Sequence, residues 1–213
     1  MYSSLFNKKI MLKYKMLFRQ LLFLKFQEKK LSESWMLQQN FKEFKFQNFL
    51  KPSYLLRDKM INFVKNITYY FFNEVIEPNY INFINSLVSS KSIDDIINSH
   101  EAFLNICLKE CLIDNTDLLN SINNIIQTCL VYSRIIIKYY NSAVLNEKYI
   151  SNMDQSSVYK YRNKYERMKD KKEEQDKILE EIFIEQKFLK TVEKFIYTFE
   201  NRLELFLSDI SKM

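Results

Sequence analysis

Between Leu55 and Pro78 the chain reads LLRDKMINFVKNITYYFFNEVIEP. Wound at about 100° per residue, its apolar side chains gather on one broad side of a helix. Leu56, Met60, Phe63, Val64, Ile67, Tyr70, Phe71 and Val75 make up that side, and Ile61 and Phe72 widen it. The arc is broader than the stripe of a surface helix, so the segment is expected as an interior rod packed on several sides. A narrow strip of Lys59, Asn62, Asn66, Tyr69, Asn73 and Glu77 is left to face water or a partner. Glu74 breaks the pattern. It falls inside the apolar arc, where a carboxylate needs a cation or hydrogen-bond donors, or stays protonated.

The same periodicity predicts further helices around this rod. A first helix over Lys9–Gln38 keeps Ile10, Tyr14, Leu17, Leu21, Leu24, Leu31 and Trp35 on one face, and Lys13, Lys15, Arg19, Lys25, Lys29 and Lys30 on the others. Asn40–Ser53 reads as a loop, with Pro52 opening the rod and Pro78 closing or kinking it. Tyr80, Phe83, Ile84 and Leu87 continue as a shorter helix that breaks at Ser89 and Ser90. Ser92 then caps a helix with two acids in its first turn, whose buried side holds Ile96, Ile97, His100, Phe103, Leu104, Cys107 and Cys111. After a loop and cap at Asp114–Thr116, Asp117–Leu145 alternates apolar steps of four and three, the pattern of bundle packing. Residues 146–177 are expected as a mobile or charged connection. The last helix carries a seam through Ile178, Ile182, Leu189, Val192, Ile196, Phe199, Leu203, Phe206 and Ile210, interrupted by Glu185, and closes the bundle. The predicted fold is all-α: one domain over 1–213, an irregular bundle of about five to seven helices, mostly antiparallel, with no β-sheet.

Composition narrows the chemistry. None of the 213 residues is glycine. Without glycine there is no P-loop, dinucleotide fingerprint, nucleophile elbow or standard calcium loop, so no cofactor is expected. No convergent acid–base or nucleophile arrangement exists beside the single histidine, which speaks against an enzyme. His100, Cys107 and Cys111 lack a fourth ligand and a zinc spacing, so no metal is expected either. Three cysteines suit a reducing compartment. No apolar run is long enough to span a membrane. The basic N-terminus resembles a transit peptide, but its helical periodicity runs on past Trp35 without a break.

Charge is unevenly placed. Through Lys65 there are 14 Lys or Arg against 4 acids, and no acid precedes Glu28. Such an end favours an acidic partner. Charge alone does not choose among nucleic acid, anionic lipid and an acidic protein. Nucleic acid is not expected as the partner: Tyr159, Tyr161 and Tyr165 lie among cations, but the KKEEQDKILEE run alternates sign and argues against the field a phosphate backbone needs.

FVKNITYYFFNEVIEPNY, followed by SIDDIINSHEAFLNICLKECLI and preceded by KYKMLFRQLLFLKFQEKKLSESW, resembles the C-terminal domain of the gamma-tubulin complex proteins, and within them component 2. The likeness covers Leu12 to about Ile113 in the family's order and spacing. It implies a helical platform that binds and orients gamma-tubulin in a microtubule-nucleating complex, without bond chemistry. It implies a cytoplasmic, cytoskeletal location at the microtubule organizing center or spindle pole. Other gamma-tubulin complex proteins would be partners through regions missing here, since the chain is expected to be truncated at both ends relative to the family. Exposed apolar positions are then expected near Leu5 and Phe6 and on the outer side of the first helix. The family's LFR and NEV segments suggest Arg19 as the buried partner of Glu74. For the binding face the residues chosen are Lys59, Asn62, Lys65, Asn66, Tyr69, Asn73 and His100. The alternative is a basic amphipathic module lying on anionic membrane through Lys8–Lys30, with no stable insertion.

Overall fold

A computed structural model describes the backbone of residues 7–40, 47–154 and 164–212, and side chains within 7–39, 50–141 and 186–212. Among the described residues six α-helices follow one another: α1 Lys8–Asn40, α2 Gln47–Tyr69, α3 Glu77–Ser89, α4 Ile93–Glu110, α5 Thr116–Asp154 and α6 Lys164–Ser211. A π-helical segment, Tyr70–Ile76, joins α2 to α3 without a loop. There is no strand among the described residues, and the fold is all-α.

The termini of these helices follow local chemistry. Asn7 accepts from the Ile10 amide at the start of α1. Ser92 and Asp95 form a reciprocal capping box at the start of α4. Asn115 accepts from the amides of Asp117 and Leu118 at the start of α5. With no glycine available, Leu112 takes the left-handed turn that ends α4, at φ 59°. Its neighbour Ile113 bonds back to the Leu108 carbonyl, and Leu112 itself to that of Lys109.

Consecutive long helices run antiparallel. Gln38 of α1 meets Ser53 of α2, and Tyr132 and Tyr139 of α5 pack on Phe195 and Phe188 of α6. Tyr132 also ties three helices together: its hydroxyl donates to the Ser53 carbonyl at 2.6 Å and lies 2.8 Å from the Ser53 hydroxyl, which accepts from Gln38. The continuous core runs from Ile10 and Leu17 through Met60, Phe71, Leu104, Ile122 and Tyr132 to Phe199 and Phe206.

Several boundaries and faces differ from the sequence expectation. The loop before the rod is shorter than Asn40–Ser53: α2 begins at Gln47 and takes Pro52 inside its second turn. Within the expected mobile or charged connection over 146–177, Asn146–Asp154 continues α5 as helix and α6 is helical from Lys164, while 155–163 lie outside the described residues. Ile178, Ile182 and Glu185 also fall outside the described side chains. On α1 the seam is a strict heptad. Ile10, Leu17, Leu24 and Leu31 are buried, but the second row is Gln20, Gln27 and Ser34, while Tyr14 and Trp35 are exposed. On α6 the row Val192, Phe199 and Phe206 is buried and Ile210 is exposed.

Candidate functional site: the outer edge of the central rod

The α2–π–α3 rod buries Leu56, Met60, Val64, Phe71 and Val75 and half-buries Phe63 and Ile67. Phe63 meets the rings of Phe199 and Phe206 edge-on, which locks the rod against α6. Its other edge presents Lys59, Asn62, Lys65, Asn66, Tyr69 and Asn73, all exposed. Tyr69 stands out furthest among the aromatics of this edge, at 57% exposure.

Glu74 departs from the expected pair. Both Glu74 and Arg19 are exposed, so no buried ion pair forms. The cause is the π-helical segment. A π turn bonds i to i+5, as the Glu77 amide does to the Phe72 carbonyl, and holds one residue more than an α turn. Over Tyr70–Ile76 the helical wheel therefore slips back by roughly 100°, one residue's rotation. That slip carries Glu74 from the apolar arc to the exposed edge and leaves Phe71 and Val75 in the core. Pro78 sits at the segment's end and has no amide to donate. Asn79 donates its side-chain amide to the Val75 carbonyl at 2.7 Å. Tyr70 and Phe72, read as part of the apolar arc, are also exposed, at 42% and 36%.

A shallow groove of about 490 Å³ runs between this edge and α1. Lys65, Tyr69 and Asn73 line it from the rod together with Thr68 and Phe72, and Lys25 and Glu28 line it from α1. The Lys25 ammonium lies 3.1 Å from Glu28 and 5.8 Å from the centre of the Phe72 ring. Amides, ammoniums, a phenol and an exposed ring equip this groove for recognition. The sequence pattern missed Lys25, Glu28 and Phe72, because a wheel drawn for one helix does not register a groove between two. Lys59 lies outside the groove and pairs with Glu200 of α6.

His100 does not join this edge. It is 5% exposed, at the junction of α1, α3 and α4. Its Nε2 lies 2.7 Å from the Tyr14 hydroxyl, and the Phe83 ring packs on it at 5.5 Å. Beside it, Lys9 and Lys13 both reach Glu101 at 2.8 Å and hold that carboxyl down to about 2. Burial lowers the His100 pKa below its ordinary value. As pH falls below about 6.5 the unfolded chain therefore binds a proton that the native chain does not, and stability declines with pH there. Thermal melts between pH 7 and pH 5 are expected to show a falling midpoint, and His100→Gln, which retains an acceptor for Tyr14, is expected to flatten that slope. An unchanged slope in the variant refutes the assignment.

The three cysteines are buried, free thiols, and burial pushes Cys107 up to about 11 and Cys111 and Cys129 up to about 12. At neutral pH they are packing groups. Among the described residues no three metal-ligating side chains converge, and no helix is long and apolar enough to cross a membrane.

Comparison with known proteins places this arrangement. The family model described as "Gamma tubulin complex component C-terminal" matches residues 2–213. Gamma-tubulin complex component 2 of Mus musculus is 31% identical over 172 residues, covering 79% of this chain and 19% of the relative. The spindle pole body component alp4 of Schizosaccharomyces pombe is 30% identical over 165 residues, 74% of this chain and 21% of its own. The Drosophila melanogaster component 2 homolog is 33% identical over 150 residues, 68% of this chain and 18% of its own. The chain thus spans about a fifth of the length of these relatives. Their names describe components of assemblies and no enzyme. With that family model matching nearly the whole of the chain, the chain belongs to the gamma-tubulin complex component C-terminal family.

Proposed function

We propose that this chain binds gamma-tubulin through the outer edge of the central rod and orients it within a microtubule-nucleating complex of the cytoskeleton, at the microtubule organizing center or spindle pole. The observation that carries the reading is the exposed row Asn62, Asn66, Tyr69 and Asn73, mounted on a rod whose opposite side is locked into the core. A rigid edge loses little conformational entropy on binding, which favours a fixed orientation over a loose tether. Lys65 and Lys25 add positive charge beside the row, which suits an acidic partner. Lys59 contributes at the margin, where its exposed pair with Glu200 is worth about 0–1 kcal/mol and is readily exchanged. His100 is too enclosed to touch a partner directly and acts by holding α4 to α1.

Function on this reading is geometric. Much of the barrier to nucleation is the cost of bringing subunits together in register, and a platform that pre-positions one subunit removes part of it. Other gamma-tubulin complex proteins are the expected neighbours in such an assembly. Changing Asn66 and Tyr69 together to Ala is expected to reduce capture of purified gamma-tubulin at least tenfold while leaving helical circular dichroism unchanged. Undiminished capture by the double variant moves the site elsewhere.

A further inference from the structure

The first helix carries a second seam that nothing among the described residues covers. A half-turn from the heptad facing the core, Met11, Phe18, Leu22 and Met36 are exposed at 43%, 66%, 55% and 62%. Lys15, Lys25, Lys29 and Glu33 fill the intervening places, so the row advances by steps of four and three from Met11 to Met36, with Glu33 its single acid. This is the spacing by which one helix packs along another. From Met11 to Met36 it extends roughly 37 Å at 1.5 Å per residue. Arg19 and the exposed Phe26 flank it. Lys15, Arg19 and Lys29 pair with no acid among the described residues, and no acid precedes Glu28 on this helix.

From this seam we propose that the outer face of α1 docks an acidic amphipathic helix of a partner protein. Apolar side chains of that helix would fill the places beside Phe18 and Leu22, and its carboxylates would meet Lys15, Arg19 and Lys29. Charge selects this occupant over two others. In a symmetric pairing with a second copy, the cationic row would face itself. On a bilayer, the lysines occupy the same row as the apolar groups, so immersion of Phe18 and Leu22 would draw ammonium groups toward the acyl layer. A facing acidic helix places a carboxylate opposite Lys15, Arg19 and Lys29, the cations of this face that pair with no acid among the described residues. The surface lies beside the groove described above but is distinct from Asn66 and Tyr69, and the proposal does not depend on gamma-tubulin binding.

The probe is a fluorescein-labelled synthetic helix of four heptads with Leu at its seam positions and Glu on the flanks, titrated with the whole chain by anisotropy. A Lys-flanked version of the same peptide is the control. The Glu peptide is expected to bind, more weakly as salt rises, and the Lys peptide to bind at least tenfold less tightly. Phe18→Ser with Leu22→Ser, and separately Lys15→Glu with Lys29→Glu, are expected to weaken the Glu peptide at least tenfold without loss of helix. Asn66→Ala with Tyr69→Ala is expected to leave it unchanged. The proposal is overturned by an absence of binding, or by binding that these exposed substitutions do not alter. It is equally overturned if the same substitutions instead abolish self-association in sedimentation equilibrium, or binding to phosphatidylserine vesicles, while the peptide is ignored.

Discussion

Deleting Glu74 is expected to leave a folded chain, whereas deleting Asn66, eight residues earlier on the same rod and equally exposed, is expected to unfold it. Removing one residue from a regular α-helix rotates everything beyond it by roughly 100°. At Asn66 that rotation swings Phe71 and Val75, both 1% exposed, away from the core and brings polar neighbours in. Full burial of each such side chain contributes about 1.5–3 kcal/mol, and α3 with its contacts to α4 follows the same rotation. The loss is comparable with the whole stability of a domain, about 5–15 kcal/mol. Glu74 differs because it lies in the π-helical segment, where one residue is already in excess. Its removal lets the i→i+5 bonds revert to i→i+4 and keeps the faces of α2 and α3 in phase. The Glu74 deletion is expected to melt within about 4 °C of the parent, a change on the scale of 1–2 kcal/mol for a chain of this length. A cooperative melt for both deletions, or for neither, shows that the segment does not hold an extra residue.

The same segment marks where the sequence pattern was informative and where it was not. Burial of Leu56, Met60, Val64, Phe71 and Val75 follows from apolar spacing, and so does exposure of the amide row from Asn62 to Asn73. The capping box of Ser92 and Asp95 is likewise written in residue types at fixed spacing. Glu74 was misplaced because a wheel assumes one rotation per residue throughout, and Pro78, the visible cue, fixes only that a donor is missing. The apolar spacing puts His100 on the buried side of its helix, as the structure does, while its polarity puts it on the partner face; the Tyr14 and Phe83 that enclose it are distant in sequence. On α1 and α6 the apolar residues Tyr14, Trp35 and Ile210 were read as core, yet the buried heptad runs through Gln20, Gln27 and Ser34 on α1. Hydrophobicity ranks side chains one at a time, whereas the strict seven-residue repeat of Ile10, Leu17, Leu24 and Leu31 decides which neighbours are carried inward.

That polar row leads to the second large effect: Gln27→Met is expected to stabilise the chain by about 1–3 kcal/mol, the penalty of a buried polar group left without a partner. Gln27 is fully buried, and neither its side-chain nitrogen nor its oxygen has a hydrogen-bond partner among the described residues. Methionine has nearly the same length and flexibility, so it fills the site without overpacking and removes the unpaired dipole. A rise in melting temperature of about 2–4 °C for each kcal/mol follows for a chain of this size. Gln20, one heptad earlier, is the control. Its amide donates to Asn123 at 3.1 Å and fixes the register of α1 against α5. Gln20→Met leaves Asn123 without that donor and is expected to be neutral or destabilising, because the register contact is lost along with the polar group. If both substitutions stabilise equally, the seam treats any glutamine as a misfit. If Gln27→Met destabilises, its amide is satisfied in solution, and the α1 seam is polar along its length because its partners are.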